Sequence, residues 1–89
     1  MESTRTVTVA MSLPSDSPTL ILEPNTNRDG FVVHNLGGPI FVKLTKWASS
    51  SNFTYRLSRN CTLEHEGYNG AVTAIAADGI SDVLITELI

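Results

Sequence analysis

The chain has one cysteine, Cys61, two histidines, six aromatic residues (three Phe, two Tyr, one Trp) and six basic side chains against nine acidic ones. Each scarcity excludes something. A single cysteine cannot build an internal disulfide framework. A metal centre needs three or four convergent N, O or S ligands, and the spacing of His34 and His65 assembles none, so neither a metal nor another cofactor is expected. A net charge of −3 and a pI near 5.1 argue against a nucleic-acid surface. No apolar run approaches the ~20 residues of a membrane helix. The opening Met1-Glu2-Ser3-Thr4-Arg5 lacks the basic and then apolar segments of a signal peptide.

What the chain does contain is turns and β-branched residues. Pro14-Ser15-Asp16-Ser17-Pro18, Pro24-Asn25-Thr26-Asn27, Asp29-Gly30, Gly37-Gly38-Pro39, Tyr68-Asn69-Gly70 and Asp78-Gly79 all favour chain reversal. Val, Ile and Thr supply 23 of the 89 residues, and branching at Cβ suits a pleated surface better than a helix. The spacing predicts strands over about 4–12, 18–23, 30–35, 39–46, 53–58, 61–66, 71–77 and 82–88. In the first, Val7, Val9 and Met11 alternate with Thr6, Thr8 and Ser12, the pattern of a half-buried strand. Gly37-Gly38-Pro39 reads as a hairpin joining Phe31–Asn35 to Ile40–Leu44, and Asp78-Gly79 as a second hairpin turn. The reading is all-β: a single small antiparallel β-sandwich over 1–89, jelly-roll-like or barrel-like, with about eight short strands. Residues 1–13 are its candidate arm or edge strand contacting a neighbour. Val32, Phe41, Ile75 and Leu84 fall on nominally polar faces. Curvature that covers both faces and a partner subunit on one face are both compatible with that.

Catalytic chemistry finds no constellation. Cys61 in Asn60-Cys61-Thr62-Leu63 has no base beside it, because His65, four residues along a strand, lies about 13 Å away. It reads as a small buried or half-buried thiol. Glu64-His65-Glu66 points both carboxylates the same way, as on a solvated strand edge. Asp78-Gly79-Ile80-Ser81-Asp82 lacks most ligands of a calcium loop. Gly37-Gly38 precedes a strand rather than the helix N-terminus that would hold a phosphate. Asn52-Phe53-Thr54 and Asn60-Cys61-Thr62 match the glycosylation pattern, which has no meaning without secretion. No enzyme is expected.

Partner surfaces remain. Core strands are expected to absorb Phe31, Phe53 and Tyr55. Trp47 in a Ser-rich loop, Tyr68 beside Asn69-Gly70, and Phe41 are the aromatic interface candidates, with Val7 and Val9 on the first strand. Trp47 and Tyr68 could instead stack on a sugar ring, or fold over the end of the sandwich.

Several stretches resemble a known group of proteins. They are Arg28-Asp29-Gly30-Phe31-Val32-Val33-His34-Asn35, Pro39-Ile40-Phe41-Val42-Lys43-Leu44, Ser49-Ser50-Ser51-Asn52-Phe53-Thr54-Tyr55-Arg56-Leu57, Glu64-His65-Glu66-Gly67-Tyr68-Asn69-Gly70-Ala71-Val72-Thr73-Ala74-Ile75 and Val83-Leu84-Ile85-Thr86-Glu87-Leu88. Their order is similar to that of small all-β bacteriophage virion accessory proteins, of the capsid decoration (cement) or head-fibre type. The resemblance covers about two thirds of the chain and leaves residues 1–27 less clearly matched. It implies a structural protein of the virion, on the outside of a phage capsid and assembled in the host cytoplasm, bound to the major capsid protein at subunit junctions and itself a homo-oligomer, with a trimer favoured. It implies no cofactor and no membrane or nucleic-acid partner. The alternative is a tail- or fibre-associated β module, one that could bind host carbohydrate.

Overall fold

A computed structural model describes residues 6–45 and 47–89. Eight strands form: β1 (Thr6–Pro14), β2 (Thr19–Leu22), β3 (Gly30–Asn35), β4 (Ile40–Leu44), β5 (Tyr55–Leu57), β6 (Thr62–Glu66), β7 (Val72–Ala76) and β8 (Ile80–Leu88). The turns named in the sequence fall between strands or at their ends, with Pro14 closing β1 and Gly30 opening β3. The expected starts at Thr4 and Arg5, and the expected strand end at Lys46, lie outside the described residues.

The strands make two four-stranded sheets, ordered β1-β8-β3-β6 and β2-β7-β4-β5. Pairing follows a nested rule in which β1 meets β8, β2 meets β7, β3 meets β6 and β4 meets β5, all antiparallel. The chain is thus a long hairpin with its tip between β4 and β5, rolled into a sandwich and closed by the β3–β8 and β4–β7 pairs. This is the jelly roll among the architectures expected for the sequence.

Inward residues of both sheets fill the core: Leu13, Phe31, Val33, Ile40, Val42, Leu57, Leu63, Val72, Ala74, Val83 and Ile85 are all buried. Their alternation is the period of two that pleating imposes. A bulge between Leu20 and Leu22 breaks that period in β2, leaving Leu20 outside while Ile21 and Leu22 join the core.

Two expected hairpins are corrected. Gly37-Gly38-Pro39 links β3 to β4, but these strands lie in different sheets, as do β7 and β8 on either side of Asp78-Gly79. Both turns carry the chain across the sandwich. Asn35 stands at this crossing with no exposed surface, and its side chain bonds backbone and side-chain groups from several segments. Its Nδ2 donates to the carbonyls of Gly38 (2.8 Å), Leu57 (3.1 Å) and Ser58 (3.2 Å). Its Oδ1 accepts from Gly37 N–H (3.1 Å) and Ser81 Oγ–H (3.0 Å). Gly37 sits so close to β8 that a Cβ there would lie 2.5 Å from Ser81 Oγ and 2.9 Å from Ser81 Cα.

Candidate interaction surfaces

The opposite end of the sandwich carries a second polar knot. Arg28 is buried in the 23–29 connection, and its Nε donates to Glu87 Oε2 at 2.8 Å. The same guanidinium donates to the carbonyls of Gly70 (2.9 Å), Tyr68 (3.3 Å) and Glu23. Asn25 adds backbone and side-chain bonds to Asn69 and Glu87. One cation therefore ties two loops to the end of β8, as Asn35 ties the other end. No buried side-chain N or O among the described residues lacks a hydrogen-bond partner. In a chain without disulfides, such knots hold loops that would otherwise be free to open.

Beside Arg28, His65 lies on the inner side of β6. Its Nδ1 is 3.2 Å from the Tyr55 hydroxyl, and its ring packs against Phe31 and Tyr68 at centroid distances of 5.6 and 6.3 Å. Tyr68 donates to the Ala71 carbonyl at 2.9 Å and packs on the core. Tyr68 is therefore occupied as a structural strut closing this end, the folded-over arrangement named as an option in the sequence. Glu64 and Glu66 stand exposed on the other face of β6, as alternation required.

The outer face of the β2-β7-β4-β5 sheet is unusually apolar. Phe41 pairs across the ladder with Ile75 and Arg56, and Leu20 with Thr73. The loop segment 47–54 folds back over part of this face, with Ala48 N–H donating to Thr73 Oγ1 at 3.1 Å. Phe53 lies on Phe41, their ring centroids 4.7 Å apart. Here the two phenylalanines exchange expected roles. Phe41 is 9% exposed while Phe53, expected in the core, is 39% exposed. The loop rather than a strand carries Phe53, so no ladder directs it inward. The exposed remainder of the patch is Leu20 and Phe53.

Of the other interface candidates, Trp47 is 61% exposed on the same loop, and Val7 and Val9 are 41% and 46% exposed on β1. Only Leu13, at the far end of that strand, is fully buried, because β2 is too short to cover the rest. Ile80 and Leu36 are further exposed apolar residues that the sequence reading did not single out. A buried or half-buried Cys61 is also corrected: the thiol is exposed in the turn between β5 and β6.

A shallow groove of about 290 Å³ is lined by Ala10, Met11, Ser12, Leu36, Asp82 and Val83. Ser12 Oγ donates to Asp82 there at 2.6 Å, while His34 is bonded to Thr62 instead. Among the described residues no three His, Cys, Asp or Glu side chains come together as a metal site would need. No described helix is long and apolar enough to cross a membrane.

No protein-family model matches the sequence, and no curated protein matches it. Solved structures do share its fold. A transcriptional regulator of the HTH_3 family from Vibrio cholerae superposes with a TM-score of 0.70 at 10% identity, over 94% of this chain and 43% of that one. A cupin protein from Bacteroides fragilis superposes with a TM-score of 0.66 at 12% identity, over 99% of this chain and 67% of that one. The present chain thus spans less than half of the first neighbour and about two thirds of the second. At such identities the likeness establishes architecture only, and that architecture is the all-β sandwich.

Proposed function

We propose that this protein is a structural component of a phage virion, binding the outside of the capsid and stabilising junctions between major capsid protein subunits. The observation that carries the reading is the distribution of apolar surface. Val7, Val9, Leu20, Leu36, Trp47, Phe53 and Ile80 are all more than a third exposed on a domain of 89 residues. Isolated exposed apolar residues are ordinary. Here several belong to named structural features, the outer patch with Phe53 and the edge strand β1, while the loops that could form a pocket are tied down by Arg28 and Asn35. Rigid ends and apolar flanks suit a protein whose work is contact. The resemblance of its strand and turn motifs to those of phage accessory proteins supports the same reading.

The test is binding to capsids that lack the protein, followed by its location in the particle by electron microscopy. Saturable binding at subunit junctions is expected, together with a higher melting temperature of the bound protein. At 100 times Kd, binding stabilises the folded state by about 2.7 kcal/mol. Absence of binding to such capsids would refute the proposal.

A second reading, a tail or fibre module recognising host carbohydrate, draws on the exposure of Trp47 alone, since the Tyr68 hydroxyl is already bonded to Ala71. Glycan binding abolished by Trp47→Ala, without capsid binding, would favour it.

A further inference from the structure

The sandwich has four strand edges, and three are protected by recognisable means. β2 has four residues and a bulge. β5 has three residues, with the exposed Arg56 at its centre. β6 presents the exposed carboxylates of Glu64 and Glu66. Short length, bulges and charges are the devices that stop an edge from pairing with another chain.

β1 has none of them. It runs nine residues in unbroken register with β8, from Thr6 opposite Leu88 to Pro14 opposite Ile80. It carries no charge, and its proline is the last residue. Thr6 to Ala10 are exposed on both faces of the strand, and no described residue pairs with its outer edge.

We infer that two copies of this chain pair through their β1 edges, antiparallel about a two-fold axis, merging two four-stranded sheets into one. The charge pattern selects a second copy as the occupant. Each chain carries a net −3, yet β1 is neutral from Thr6 to Pro14, so the edge is where like-charged copies approach without opposing carboxylates. The side chains are also self-complementary. With Val9 opposite Val9 of the second copy, Val7 meets Met11 on the sandwich side. On the outer side Thr8 meets Ala10 and Thr6 meets Ser12. Val7, Val9 and Met11 of both copies then form one continuous apolar row, which covers the side chains that β2 is too short to reach.

The pairing is isologous and closes at two copies, a different symmetry from the trimer expected from the sequence. Its size sets its strength. Seven paired residues extend about 24 Å, and a sheet about 10 Å thick gives roughly 240 Å² per copy. The total of roughly 500 Å² is below the ~1,000 Å² of a long-lived complex. The dimer is therefore reversible in solution.

Sedimentation equilibrium on the intact chain, from about 10 μM to about 1 mM, covers the range such an interface requires. The expected mass rises from 9.6 kDa toward twice that value. Val9→Lys, which sets two ammonium groups face to face, should shift the midpoint at least tenfold to higher concentration. An equimolar mixture of Val9→Lys and Val9→Glu should restore the dimer, a result misfolding cannot produce. If Val9→Lys fails to fold, Val9→Cys in a Cys61→Ser background supplies the readout, as oxidation should cross-link it into a covalent dimer. A constant 9.6 kDa mass, a mass three times that, a dimer unaffected by Val9→Lys, or a dimer that Val9→Cys does not cross-link would overturn the inference. The measurement involves no capsid, so its failure and failure of capsid binding are separable.

Discussion

Asn35→Asp replaces an amide with a group of nearly the same shape and so isolates the chemistry of the knot that carries the chain between sheets. The native Nδ2 donates to three carbonyls from a fully buried position. An ionised carboxylate would face those same oxygens with no proton to give. The Gly38 and Ser58 carbonyls keep second donors in Ser81 Oγ–H and Cys61 N–H, so the lost bonds cost about 1–3 kcal/mol, and the unpaired buried charge adds several kcal/mol. For 89 residues the whole folding free energy is about 4–13 kcal/mol, so the variant should be largely unfolded at pH 7. Acid should rescue it. Burial and the three carbonyls hold the introduced carboxyl above the ordinary carboxylate range in the folded state. The penalty is then absent below the unfolded value of about 3.9, grows as pH rises, and is complete above the folded value. Urea unfolding followed by circular dichroism should therefore show a deficit, relative to wild type at the same pH, that shrinks between pH 7 and pH 4. Asn35→Ala should show a deficit that does not change with pH. An Asn35→Asp deficit equal at both pH values, or below about 1 kcal/mol, would refute this account of the knot.

Three further substitutions probe the same framework. Arg28→Ala strands three carbonyls and the part-buried Glu87, so a loss of about 3–5 kcal/mol is expected in urea melts, and a loss under 1 kcal/mol would show that the ion pair is dispensable. Gly37→Ala forces a methyl group against β8 and should cost about 1–3 kcal/mol by overpacking, with an unchanged m-value. Phe53→Ser removes the ring lying on Phe41 and should lower stability by only about 0.5–1.5 kcal/mol. If the outer patch docks on the capsid, that variant should lose far more in capsid affinity, read by co-sedimentation with particles.

The sequence by itself determined the strands. Their positions, their alternating faces and the turns between them are local matters, set by β-branching and by the φ preferences of Gly, Pro, Asn and Asp, and they match the eight observed strands closely. The same local signals could not say which strand pairs with which. Gly37-Gly38-Pro39 and Asp78-Gly79 read as hairpins because a tight turn between two strands is usually one, and nothing in those residues states that the chain changes sheets. Asn35 stands where the chain crosses, and its five side-chain hydrogen-bond partners reach as far along the chain as Ser81. Likewise the alternation in β1 placed Val7, Val9 and Met11 on one face but could not reveal that β2 is too short to cover them. Phe41 and Phe53 changed places because a loop folds back on the outer sheet. The scarcities noted at the outset, one cysteine and two histidines, left the ends of the sandwich to be closed by other means. Only the tertiary structure brings Arg28 and Asn35 to those ends, since their contacts with Glu87 and Ser81 are 59 and 46 residues apart in sequence, and no local pattern records a contact at such separation.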